Sequence, residues 1–288
     1  MTSADLHHGH ALVDLNDGTT IPQLGYGVWR VPDDEAQPAV EEALRVGYRL
    51  IDTAAIYGNE RGVGRAIAGS GLAREDVYLT TKLWNADQGY DTTLRAYEAS
   101  LERLAVEKVD LYLIHWAAPP LEKFVDTWKA LVHLHEQGAV GSIGVSNFHG
   151  PHLQQIIDAT GVTPVLNQVE CHPYLQIERL RAWNAAHQIA TQAWSPLGAG
   201  KGLLEDPVLL QIAERRDATP AQVVLAWHIA QGNIVIPKSV TPSRMAENWA
   251  ALGVHLEPED IDAIEGLERG ERTGGDPDVA DFAQPTPE

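Results

Sequence analysis

YRLIDTAAIYGNERGVGRAIAGSGLAREDVYLTTK, residues 48–82, reads as a strand, a helix and a second strand. Residues 48–52 form an apolar run of strand length. Residues 59–69 carry apolar side chains at the 3.6-residue period of a helix, with Val63, Ala66 and Ile67 on one face, and 77–81 is again short and β-branched or aromatic. Two parallel strands cannot be joined by a tight turn, so a helix between strands is the natural crossover. Outward from this unit the alternation continues, with further strands expected at 24–29, 109–114, 140–145, 164–169, 189–194 and 233–236. The total is eight, the number that closes a parallel barrel.

Helices are expected near 33–46, 91–104, 122–137, 149–159, 176–187 and 206–231. The last divides at Asp217-Ala-Thr-Pro220, where Thr219 and Pro220 suit the N-cap and first position of a new helix. Two extra helices follow at 241–251 and 257–267, and from Arg269 onward a Gly-, Pro- and Asp-rich stretch suits a loop across the top of the barrel. Before the first barrel strand, two short apolar runs flank Asn16-Asp17-Gly18, a hairpin signal, and residues 1–11 read as a disordered arm. The expected fold is therefore an α/β (β/α)₈ TIM barrel forming a single domain over 1–288. A doubly wound sheet is the alternative, but no Gly-x-Gly-x-x-Gly turn follows the first strand.

With 44% hydrophobic residues the chain can bury a large core. Its 21 Lys and Arg stand against 40 Asp and Glu, a formal charge of −19 that argues against a nucleic-acid partner. The longest apolar runs are only of strand length and no apolar signal region opens the chain, so no membrane association and a cytoplasmic location are expected. The lone Cys171 offers no thiolate pair for zinc or disulfide chemistry and suits a small buried residue. His7-His8-Gly9-His10 could suggest a metal-dependent barrel hydrolase, but it precedes the first strand and lacks ligand partners at strand ends, so no metal is expected.

Barrel enzymes place their chemistry at the C-terminal ends of the strands. There this sequence sets Asp52 and Tyr57 after the second strand, Lys82 after the third and His115 after the fourth. An ammonium beside a phenol should stabilise the phenolate and lower its pKa, while a carboxylate holds the ammonium charged. Such a tyrosine can give a proton to a developing alkoxide. Trp29, Trp84 and Trp116, also at strand ends, can wall an apolar slot, and Phe148 is expected to join them. Trp183, Trp227 and Trp249 fall inside helices and suit packing. After the eighth strand, Lys238 and Ser239 precede a helix start near Thr241, where barrels often bind phosphate, and Arg244 adds charge.

The motifs Asp52-Thr53-Ala54, Tyr57-Gly58-Asn59-Glu60, Thr81-Lys82-Leu83-Trp84 and His115-Trp116 resemble the catalytic tetrad motifs of the aldo-keto reductase superfamily. The similarity continues through Gly144-Val145-Ser146-Asn147-Phe148, Asn167-Gln168-Val169-Glu170-Cys171-His172-Pro173, Trp194-Ser195-Pro196-Leu197-Gly198 and Ile236-Pro237-Lys238-Ser239. It spans about residues 12–270 and is strongest to the bacterial 2,5-diketo-D-gluconate reductase branch.

The resemblance implies an NADPH-dependent reduction of aldehydes and ketones to alcohols by hydride transfer, with Tyr57 as general acid, Lys82 and Asp52 tuning it, and His115 orienting the carbonyl. It implies that Ser146, Asn147 and Gln168 bind the carboxamide, that Trp194 stacks on the nicotinamide, and that Ser195 and Leu197 line the cofactor. Lys238, Ser239 and Arg244 would then grip the 2′-phosphate, with Glu247 and Asn248 reaching the adenine. The partner expected is a small-molecule carbonyl, and the chain a monomer. The alternative within the superfamily is a non-catalytic NADPH-binding relative.

Overall fold

The computed structural model describes residues 11–287. The His7-His8-Gly9-His10 cluster and all but Ala11 of the expected arm lie outside the described residues. The Ala11 carbonyl accepts a hydrogen bond from the Gln23 N–H at 2.8 Å.

Strands β1 (Leu12–Asp14) and β2 (Thr20–Pro22) form the antiparallel hairpin around Asn16-Asp17-Gly18. The eight barrel strands follow: β3 (Tyr26–Gly27), β4 (Leu50–Asp52), β5 (Tyr78–Leu83), β6 (Leu111–Ile114), β7 (Ser142–Ser146), β8 (Leu166–Glu170), β9 (Ala190–Trp194) and β10 (Ile234–Val235). Each pairs in parallel with the next. The ring closes between the short terminal strands, where Leu24 bridges Val235 and the Gly25 N–H donates to the Val235 carbonyl at 2.8 Å. Val235 in turn donates to Gln23, and Gly27 to Pro237.

Helices α1 (Asp33–Val46), α2 (Glu60–Gly69), α3 (Tyr90–Leu104), α4 (Phe124–Glu136), α5 (Gly150–Thr160) and α6 (Glu178–Ala186) return the chain between consecutive strands. The stretch expected to divide at Thr219 does so. Helix α7 (Pro207–Arg215) ends before it, and α8 (Pro220–Ala230) starts on the Thr219 hydroxyl, which accepts from the Gln222 N–H while Gln222 reaches back to the Thr219 N–H. The extra helices are α9 (Pro242–Trp249) and α10 (Pro258–Glu265). No helix among the described residues is long and apolar enough to cross a membrane.

Strand alternation then sorts the side chains. Ile51, Leu79, Leu83, Tyr112, Ile114, Ile143, Val145, Ala193 and Val235 point outward into the core shared with the helices. The inward positions divide by height. At the N-terminal end Leu50, Tyr78, Leu111, Leu113, Leu166, Ile234 and Ile236 cluster with Leu15 and Ile21 of the hairpin, which plugs that end of the barrel. Two or four residues further along the same inward faces stand Asp52, Lys82, Ser146, Gln168, Glu170 and Gln192, all buried, with His115 one residue beyond the end of β6. The polar groups are therefore gathered at the end of the barrel opposite the hairpin.

Helix α2 lies so close to the end of α3 that a Cβ at Gly64 would collide with the Leu104 backbone. Overpacking against an unyielding backbone typically costs about 1–3 kcal/mol. Gly64→Ala should lower the urea unfolding free energy by that amount, and an unchanged midpoint would show that the two helices part without strain.

Candidate active site

Register brings the four strand-end groups together. Asp52 pairs with Thr80 across β4 and β5, so Lys82 stands one inward step higher, and its ammonium reaches back to the Asp52 carboxylate at 2.5 Å. The Thr53 carbonyl accepts a second bond at 2.9 Å. From across the barrel the Gln168 amide donates to the other Asp52 oxygen at 2.7 Å and to the Gln192 carbonyl oxygen at 2.7 Å. Lys82 and Asp52 are 0% and 2% exposed, so this ion pair is withheld from water and satisfied by protein alone.

Tyr57 sits on the turn after β4, in a short 3₁₀ segment that Gly58 closes with φ +67°. Three hydrogen bonds at the base of that turn hold it. The Asn59 amide donates to the Val28 and Val31 carbonyls, and the Thr53 hydroxyl donates to Asn59 at 2.7 Å. The Tyr57 ring lies 5.1 Å from the Lys82 ammonium and edge-on to His115, with ring centres 5.6 Å apart. A carboxylate, an ammonium, a phenol and an imidazole thus meet at the open end of the barrel.

The electrostatics correct one expectation. Burial raises the Tyr57 pKa well above its ordinary value, and the Asp52 charge raises it further, so the phenol is held up where the neighbouring ammonium alone would have brought it down. The Asp52–Lys82 pair is nearly neutral as a unit, and its ammonium is turned toward Asp52 and Thr53. Burial likewise pushes Asp52 up and Lys82 down, each opposed by the other's charge. His115 is held well below its ordinary pKa, by burial first and then by the Lys82 charge. The site accordingly presents a protonated phenol and a neutral imidazole, whose Nδ1 is buried without a hydrogen-bond partner.

Beside the tetrad, the Ser146 hydroxyl donates to the Gln168 carbonyl at 2.8 Å. The Asn147 amide donates to the His115 carbonyl at 3.0 Å, and the Trp194 indole N–H donates to Asn147 at 2.9 Å. Trp194 is thereby fixed at the end of β9 with its ring partly exposed, and Ser195 and Leu197 lie partly exposed in the turn beyond it. After β10, the Thr241 N–H donates to the buried Ser239 hydroxyl at 3.1 Å, ahead of α9. Lys238 and Arg244 are exposed and form no ion pair among the described residues. Of the two expected adenine contacts, Asn248 is buried, and Glu247 accepts a bond from the Thr219 hydroxyl at 2.6 Å. A flat indole face, amides at neighbouring strand ends and two free cations at a helix start fit a dinucleotide with an extra phosphate.

Trp84 and Trp116 are buried together at the mouth. Phe282, from the C-terminal stretch, stacks on Trp84 with centres 6.0 Å apart and meets Trp116 edge-on at 5.0 Å. Trp29 is 44% exposed, with the Arg30 guanidinium over its ring at 4.1 Å. Phe148 departs from expectation, being wholly buried against Phe124 and His152 in the outer core. Asn147 takes a left-handed φ of +58° just after β7, which breaks the strand alternation and turns Phe148 away from the mouth. Cys171 is buried and its thiol is pushed up to about 12 by burial.

Two features escaped sequence reasoning. Gln192 completes the polar chain to Asp52 through Gln168, and its inward parity on β9 was the available signal. Glu170, the last residue of β8, binds the chain beyond Arg272. Size is a poor guide here, since a cavity of about 810 Å³ lies at the opposite end, lined by Asn16, Arg181 and Gln231 among others, and includes none of these groups.

The profile described as the Aldo/keto reductase family matches residues 18–269. An aldo-keto reductase of Mycolicibacterium smegmatis is 55% identical over 270 residues, covering 94% of this chain and 98% of that protein. The methylglyoxal reductase DkgA of Yersinia pestis is 51% identical, covering 93% and 96%. Among solved structures, a mutant of Gox0644 in complex with NADPH superposes with a TM-score of 0.91 at 49% identity, covering 95% of this chain and 99% of that one.

The His115 environment makes a testable statement about stability. Its folded pKa lies below the ordinary 6.5, so the neutral ring contributes fully above pH 6.5 and its contribution is lost as pH falls beneath that value. Buried His228, pushed down to about 3 chiefly by burial, acts in the same direction. The urea midpoint should fall between roughly pH 6.5 and pH 5, with a shallower fall in His115→Gln. An identical pH slope in that variant would mean that the imidazole is not held neutral by the fold.

Proposed function

The chain belongs to the aldo/keto reductase family, and on that premise we propose that it is an NADPH-dependent reductase of small aldehydes and ketones, with Tyr57 as general acid. The observation that carries this reading is the meeting of Tyr57 and His115 above the buried Asp52–Lys82 pair at the C-terminal end of the barrel strands. NADPH, when bound, supplies the hydride to the carbonyl carbon. Trp194, Ser146, Asn147 and Gln168 would hold its nicotinamide end, with Ser195 and Leu197 beside it. Lys238, Ser239 and Arg244 would hold its 2′-phosphate, and Glu247 and Asn248 would reach the adenine.

The protein's own part is the oxygen. His115, kept neutral, donates its one N–H to the carbonyl oxygen and fixes its direction. Tyr57 gives its proton to that oxygen as the alkoxide develops. A phenol raised above its ordinary pKa still protonates an alkoxide, which is a far stronger base, and it keeps its proton through the neutral range. Lys82 lies beneath the ring to compensate the phenolate left behind, and Asp52 holds Lys82 in place. The buried rings of Trp84 and Trp116, with Phe282, keep water from the reacting carbon. A narrow aromatic slot and the methylglyoxal reductase relatives together favour small 2-oxoaldehydes as substrates. The setting that fits is a cytoplasmic monomer, with its one cysteine buried and reduced.

Tyr57→Phe should keep NADPH affinity and lose roughly 10²- to 10⁴-fold in turnover, measured by NADPH consumption with a panel of aldehydes, ketones and 2-oxoaldehydes. Full activity would remove Tyr57 from the mechanism. Because the phenol is raised, reduction should hold level through neutral pH while alcohol oxidation, which needs the phenolate, climbs into the alkaline range. An oxidation rate already level at neutral pH would contradict that. Replacing Lys238 and Arg244 together by alanine should weaken NADPH by roughly 10- to 100-fold per residue, the value of a charge-assisted bond. NADH should be nearly unaffected, and equal losses for both cofactors would dissociate these residues from the phosphate.

A further inference from the structure

Glu170 lies outside the tetrad and outside the cofactor contacts proposed above, yet it is a carboxylate 2% exposed at the functional end of the barrel. A buried carboxylate needs compensation, and here nearly all of it comes from one segment. Oε1 accepts from the Thr273 backbone N–H at 2.5 Å and from the Thr273 hydroxyl at 2.5 Å, and Oε2 accepts from the Gly274 N–H at 3.0 Å. His172 Nε2 lies 3.2 Å from Oε1. Burial pushes the Glu170 carboxyl up, but His172 and the Thr273 and Gly274 donors outweigh it and hold the group below the usual carboxylate range.

The bound segment is the start of a strap that crosses the mouth. Within the anchor itself, Gly274 passes against the Trp194 ring so closely that a Cβ there would lie 2.5 Å from its Cη2. Trp194 is also the residue paired with Glu170 between β8 and β9. Further on, Ala280 and Phe282 close over Trp84 and Trp116. The far end is tied by the Trp84 indole N–H to the Gln284 carbonyl at 2.7 Å, by the Asn85 amide to the Phe282 carbonyl at 2.7 Å, and by the Thr286 hydroxyl to Asp87 at 2.7 Å. Between the ends, His149 Nδ1 meets Asp278 at 2.6 Å on the exposed rim. The only buried ionic anchor among these ties is Glu170.

We propose that Glu170 is a positioning residue that sets the height of the 273–287 strap over Trp194 and the aromatic slot, and thereby the affinity for the carbonyl substrate. It acts through Phe282 and Gly274 and touches no reacting atom. The effect on substrate rests on the reductase reading given above, whereas the anchoring itself does not.

The test uses full-length protein. Glu170→Gln keeps the size of the side chain but turns an amide N–H₂ toward donors. Hydrogen exchange should accelerate across 273–286 while barrel strands keep their protection. KM for a 2-oxoaldehyde should rise about 10-fold or more, the loss of one charge-assisted bond, with kcat within about 3-fold. Glu170→Asp, which keeps the charge, should recover part of the KM. Thr273→Val, which alters only the strap, should raise KM in the same direction and decides the matter if Glu170→Gln fails to fold. Parental strap exchange and KM in these variants, with Tyr57→Phe still inactive, would overturn the positioning role and leave the reductase reading standing. Loss of protection throughout the barrel together with unchanged KM would also overturn it, because Glu170 would then be structural only. If the parent turns over no carbonyl, the reductase reading fails, and strap exchange in the variants still decides the anchor.

Discussion

A lysine with no exposed surface, held by one carboxylate inside the barrel, is the constraint on which the rest of the active end depends. Removing one partner from such a buried pair typically costs about 3–5 kcal/mol, because the remaining charge is stranded. The fold meets this demand through register. The β4–β5 pairing sets Lys82 one step above Asp52, and Gln168 arrives from the opposite wall to occupy the second carboxylate oxygen. The turn carrying Tyr57 is then built on the same residues, since Thr53 supplies both an acceptor for Lys82 and a donor for Asn59.

That pair is tolerated because polarity is graded along the barrel axis. The hairpin seals the N-terminal end with Leu15 and Ile21, so the lower inward layer can be largely apolar. The upper layer is polar, and Asp52, Lys82 and Gln168 bond to protein groups rather than to water. Low solvation is what keeps His115 neutral and the Tyr57 phenol protonated, so the same burial that makes the pair expensive also selects the protonation states the chemistry uses. The strap completes the enclosure. It adds Phe282 to the wall and rests its own weight on a buried carboxylate two residues beyond Gln168.

Much of this was legible in the chain itself. The short β-branched or aromatic runs and the period-3.6 runs located every barrel strand and α-helix, because a barrel repeats one local unit whose pattern survives without tertiary knowledge. Thr219-Pro220 announced the start of α8 through local capping chemistry alone. Asp52, Tyr57, Lys82 and His115 could be named because strand ends on one face of a parallel barrel must converge. What local pattern could not convey was the side on which a residue falls once a strand has ended. Phe148 has inward parity with Ser146, but the left-handed turn at Asn147 sends it into the outer core.

The sequence by itself therefore determined the barrel, the number and order of its strands, and which residue types gather at its open end, since all of these follow from periodicity and from the fixed sense of parallel crossovers. Only the tertiary structure decided how the charges act on one another. Whether Lys82 acidifies Tyr57 depends on distances and desolvation across four strands, and the result is a phenol raised by burial and by Asp52. Only the tertiary structure, too, could join Glu170 to Thr273, about a hundred positions apart in the chain. A long-range hydrogen bond leaves no periodic trace in the residues that make it.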